Sequence, residues 1–127
     1  MVLCATAIAL PGGARYLGKT DTGRAVSVRL NGDASRVKRM RIHYDVTCDN
    51  GHAAQTYTDI LNPRVHKDGT FKASGTYTGS GDGSKNDFKV AGKISSKKAT
   101  GTFSLTATTS TVHCKTGKLT WTANRAK

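Results

Sequence analysis

Apolar and polar residues alternate with period two along most of this chain, the spacing of strands that bury one face. Val26, Val28 and Leu30 alternate with Ser27 and Arg29. Met40, Ile42, Tyr44, Val46 and Cys48 alternate with Arg39, Arg41, His43, Asp45 and Thr47. This second run is the clearest strand, one face apolar and the other basic. It predicts that Met40, Ile42, Tyr44 and Val46 point into a core while Arg39, Arg41 and His43 point out. The same alternation recurs in Phe71-Ala73-Gly75-Tyr77, Phe88-Val90-Gly92-Ile94, Phe103-Leu105-Ala107 and Leu119-Trp121-Ala123. Turn signals separate the runs: Asp21-Thr22-Gly23, Asn31-Gly32-Asp33, Asp49-Asn50-Gly51, Asp68-Gly69 and the Gly-rich stretch from Gly79 to Gly83. Asn-Gly and Asp-Gly accept the positive φ of tight hairpins. The expected fold is all-β, a single antiparallel meander of about eight strands beginning near Tyr16, forming a barrel or a two-sheet sandwich. Trp121 is expected in the core beside Cys48 and Cys114.

Composition agrees with strands. The chain has 127 residues, 18 of them Thr, and its eight acids are all Asp. Without Glu it lacks a principal residue of exposed helix, and it is rich in residues that favour strands and turns. The length suits one domain. No apolar run reaches the roughly 20 residues of a membrane-spanning helix.

The domain is expected over residues 15–127, preceded by a distinct segment, 1–14. Val2 to Leu10 is apolar and leads into Pro11-Gly12-Gly13-Ala14. Ala5-Thr6-Ala7 and Ala7-Ile8-Ala9 each fit a signal-peptidase pattern, so the segment reads as a signal-peptide remnant without a basic leader. The competing reading is an apolar arm that adds as a strand to its own sheet or a neighbour's, building a homo-oligomer or filament. Cys48 and Cys114 sit in matching contexts, Cys48-Asp49-Asn50-Gly51 and Cys114-Lys115-Thr116-Gly117, each ending a strand-like run at a turn. In an exported chain they are the expected disulfide, with Cys4 left over in the removable segment. No C-x-x-C occurs, so redox and zinc-ribbon readings lack their spacing.

Charge adds a functional expectation. Lys and Arg number 20 against 8 acids, a net charge of +12. Such a surface attracts polyanions: nucleic acid, anionic lipid, or acidic cell-wall and extracellular polysaccharide. Arg39 and Arg41 on one strand, and Lys89 and Lys93 on another, offer regularly spaced outward cations. Most aromatics fall at core positions, which removes the stacking platform that single-strand nucleic-acid binders use.

Catalytic chemistry finds little support. There is no G-x-S-x-G, and His43, His52, His66 and His113 lack the local spacing of paired ligands. Asp82 to Asp87 places oxygen-bearing side chains as calcium loops do, but lacks the central Gly and final Glu, and Lys85 interrupts it. Asp45 and Asp59 are candidates for a carboxylate pair only if their strands adjoin. The reading is therefore no enzyme, no catalytic residue, no metal and no cofactor.

The scattered pattern Tyr16-x-Gly18-Lys19-Thr20, Cys48-x-x-Gly51, Asp68-Gly69-x-Phe71, Gly101-Thr102 and Cys114-x-x-Gly117-x-x-x-Trp121-x-Ala123 resembles small secreted all-β domains of high-GC Gram-positive bacteria. The resemblance spans residues 15–127 and rests on turn glycines, two cysteines and a tryptophan. It implies export and an all-β fold, and carries over no catalytic residue. The expected function is a secreted or cell-surface, non-catalytic binding module for anionic polymers; the alternative is a structural subunit assembled through its N-terminal strand.

Overall fold

The computed structural model describes residues 10–79 and 83–126. These form nine strands: β1 (Arg15–Thr20), β2 (Ala25–Leu30), β3 (Val37–Cys48), β4 (Ala53–Ile60), β5 (Thr70–Thr78), β6 (Lys85–Ile94), β7 (Lys98–Thr108), β8 (His113–Lys115) and β9 (Leu119–Arg125). All pairings are antiparallel, in the order β4-β3-β2-β1-β9-β7-β6-β5, and β8 joins β3 to β7. β1, β2, β3, β8, β7 and β9 thus close a six-stranded ring, with β4 attached to β3, and β6 and β5 to β7. The chain is an all-β barrel with extra strands. It departs from a pure meander at two places: the consecutive strands β4 and β5 do not pair, and β9 passes over β8 to pair with both β7 and β1.

Period-two alternation sets the core. Met40, Ile42, Tyr44 and Val46 are buried, as their pattern predicts, and meet Val26, Val28, Leu30, Phe103 and Leu105 from other strands. The interior is filled rather than hollow. Tyr44 and Phe103 approach each other from β3 and β7 with ring centroids 5.1 Å apart. Trp121 lies 6.1 Å from Phe71 and its Nε1–H donates to the Thr102 carbonyl at 3.2 Å. The indole needs two neighbours without side chains: a Cβ on Gly92 or on Gly101 would stand 2.7 Å from Trp121 Cζ2.

Trp121 does not lie beside the cysteines. It pairs with Gly101 on β7, whereas Cys114 pairs with Ala107, six positions further along. At about 3.3 Å per residue that separates them by roughly 20 Å. Sequence proximity of residues 114 and 121 is cancelled because β8 and β9 dock at opposite ends of β7.

Cys48 and Cys114 are direct cross-strand partners and form the disulfide, with Cα atoms 3.9 Å apart. The next pair along carries the ladder hydrogen bond, Asp49 N–H to the His113 carbonyl at 2.9 Å. The cysteines therefore occupy the closely spaced, non-hydrogen-bonded position. Cys4 lies outside the described residues, as does the rest of the segment 1–9. From Leu10 onward that segment belongs to the barrel: Leu10 packs against the core, and the Leu30 N–H donates to the Ala14 carbonyl at 2.9 Å.

β4 and β5, the two ends of the strand order, are not paired with each other. Side chains span the seam instead. Thr58 Oγ1 shares hydrogen bonds with Tyr44 OH at 2.5 Å and Tyr77 OH at 3.1 Å. Burial pushes the Tyr44 hydroxyl well above the ordinary tyrosine value.

Candidate cation-rich binding surfaces

The four cations expected to bind polyanions lie on two separate faces. Arg39 and Arg41 are on β3 and Lys89 and Lys93 on β6, with β2, β1, β9 and β7 between them in the strand order. They do not form one site.

Arg41 is already paired. Its Nε–H and Nη2–H donate to the two oxygens of Asp59 across the β3–β4 ladder, at 2.7 and 2.9 Å. Its guanidinium also lies 4.4 Å from the Tyr57 ring centroid. These hydrogen bonds hold the Asp59 carboxyl below its usual range, with smaller help from the charges of Arg41 and Arg39. Arg24 grips Asp45 in the same two-pronged way, at 2.9 and 3.0 Å. β3 and β4 do adjoin, as a carboxylate pair requires. Yet Asp59 stands opposite Arg41 and Asp45 opposite Gln55, four residues along the ladder. With both carboxylates gripped by arginine, neither is placed to deliver a proton or attack.

Lys89 has a different setting. It stands between Ser74 on β5 and Ser104 on β7. One row along β6, Ala91 stands between Lys72 and Thr102. Short side chains at Ser74, Ala91, Thr102 and Ser104 leave a low floor, and Lys72, Lys89 and Lys118 rise around it as an open groove. None of these lysines has a carboxylate within ion-pair distance among the described residues. The one acid on the strands flanking the groove is Asp87, which accepts a hydrogen bond from Thr76. Lys93 lies on the same face four residues from Lys89, roughly 13 Å along the strand, beside Asp68, whose carboxyl is held low chiefly by hydrogen bonds from Thr70, with a smaller contribution from the Lys93 charge.

Lys72 and Lys118 carry no sequence signal of their own. Each is a lone cation on its strand or turn, and only the register of β5, β6, β7 and β9 gathers them. Arg15 and Arg29 are missed for the same reason: cross-strand pairing sets Arg15, Arg29 and Arg39 in one row over β1, β2 and β3. Beside that row, the register shift between Arg29 and Leu30 leaves Lys38 unpaired and exposed next to Arg39, as a β-bulge does.

The remaining candidates do not assemble. Asp82 lies outside the described residues, and Asn86 turns inward to Ser84 while Asp87 faces out. His43 lies against Tyr57, with ring centroids 5.4 Å apart. Among the described residues no three His, Cys, Asp or Glu side chains gather as a metal site, and no helix is long and apolar enough to cross a membrane. No protein-family model matches the chain, and neither a curated protein nor a solved structure does.

Proposed function

We propose that this chain is a secreted, non-catalytic domain that binds sulfated or phosphate-bearing glycans through the groove of Lys72, Lys89 and Lys118. The observation that carries the reading is the groove itself: three exposed lysines around a floor of hydroxyl and methyl groups, with no acid paired to them among the described residues. Lysine ammonium groups are compact, rotatable donors that track an irregular row of anions, and Ser and Thr hydroxyls hydrogen-bond to sugar hydroxyls.

Phe103, the aromatic that lines the groove, is buried; of the exposed rings elsewhere, Tyr57 lies against Arg41 and His43, and Tyr77 against Phe88 with its hydroxyl bonded to Thr58. A single-stranded nucleic acid would find little to stack on. Export is supported by the Cys48–Cys114 disulfide, because such bonds persist in oxidising compartments.

The test is a binding titration against heparin, with duplex DNA in parallel, at graded salt. The reading expects heparin affinity that falls steadily with log salt and exceeds that for DNA at equal ionic strength. DNA binding as tight as heparin binding, with a slope near −0.9 per phosphate neutralised, would replace the glycan with nucleic acid. Absence of binding at low salt would remove the proposal.

A further inference from the structure

The arginine row on β1–β3 is a second unpaired cationic face. Arg15, Arg29 and Arg39 are successive cross-strand neighbours on the outer surface. Like charges directly opposite one another repel, and the described residues supply no ion pair to relieve them. The nearby carboxylate, Asp59, has both oxygens occupied by Arg41. The bulge adds Lys38 beside the row.

This face is turned away from the lysine groove. β2 lies at its centre and β6 at the centre of the other, four strands apart in an order of eight. In the six-stranded ring β2 and β7 stand three strands apart in either direction, so the arginine row centred on β2 and the groove bordered by β7 lie on opposite sides of the barrel. A single segment of extended polymer lying on one face does not reach the other.

We propose that the domain holds two independent sites for the same class of anionic glycan, one on each face, and bridges two polymer segments. This rests on the glycan-binding reading. The two sites differ in chemistry. The arginines present planar forks that take sulfate or phosphate oxygens two at a time, whereas the lysines act as point charges.

Capture on a surface tests the bridge. Biotinylated heparin is immobilised, the full chain is bound to it, and fluorescent heparin is passed over. The expected result is retention of fluorescent heparin by the unsubstituted chain. Chains carrying R15S/R29T/R39T, or K72T/K89T/K118T, should bind the surface and lose retention to background. These substitutions are on exposed strand or turn positions, and unchanged thermal melts would confirm intact folds. Surface binding without retention by the unsubstituted chain overturns bridging and leaves glycan binding standing. Retention that survives loss of either face also overturns it, because two faces are then not required. Failure to bind immobilised heparin at all overturns both readings.

Discussion

Arg41 and Asp59 face each other across β3 and β4 with two hydrogen bonds of 2.7 and 2.9 Å, while Lys89, on β6, has no carboxylate partner among the described residues. The contrast separates cations that serve the fold from cations left for a ligand. R41Q and K89Q each lower the net charge by one, so an account based on overall charge expects equal weakening of heparin binding. The local account expects K89Q to weaken it more and to reduce the salt slope by about one, with R41Q close to the unsubstituted chain. Fluorescence anisotropy with a labelled heparin oligosaccharide measures both.

The same pair sets an acid-sensitive contribution. A carboxyl held below its unfolded value contributes stability that is complete above that value, near 3.9 for Asp, and is lost as pH falls through the folded value. Asp59 is such a group, and the chief cause is Arg41. An NMR titration should find Asp59 protonating below the ordinary aspartate range, and should find it moved upward in R41Q. An Asp59 titration unchanged by R41Q would mean that the two-pronged contact is absent in solution.

Much of the barrel was legible in alternation. Met40 to Val46 places four inward residues in one strand, and the structure buries all four. β4 was harder to read, because Ala53 to Tyr57 carries no large apolar alternation and those five residues are exposed. β8 has three residues, too few for a period. The binding faces were half legible. Outward Arg39, Arg41, Lys89 and Lys93 follow from alternation, but pairing with an acid depends on register between distant residues. Arg41 finds Asp59 only because β3 and β4 align that way, and Lys72 joins Lys89 only because β5 and β6 do.

Opening the disulfide should destabilise the barrel where β8 closes the ring. The bond spans 66 residues, for which loop-closure entropy gives about 4 kcal/mol in the chain-entropy model. Urea denaturation of C48A/C114A should show a loss of about 2–4 kcal/mol. A midpoint unchanged from the oxidised chain would mean that the bond does not constrain the fold.

The Trp121 seat permits no side chain beneath it. A Cβ on Gly101 would stand 2.0 Å from the Ala91 carbonyl oxygen as well as against the indole. Backbone cannot rotate away as a side chain can, so Gly101→Ala should destabilise strongly and shift Trp121 fluorescence toward that of a wetter indole. Ile42→Ala, an ordinary core truncation, should cost about 2–5 kcal/mol. Gly101→Ala with an unchanged melt and spectrum would place the indole elsewhere.

The most direct measurement of the central claim locates the ligand on the molecule: backbone amide shift mapping of the disulfide-bonded chain with a defined heparin oligosaccharide at low salt. The account predicts one set of changes at Lys72, Ser74, Lys89, Ala91, Ser104 and Lys118 that saturates together, and a separate set around Arg15, Arg29 and Arg39, while the paired Arg24–Asp45 contact is undisturbed. Changes centred on the acid-paired Arg24 and Arg41, or spread evenly over every cation, would contradict it.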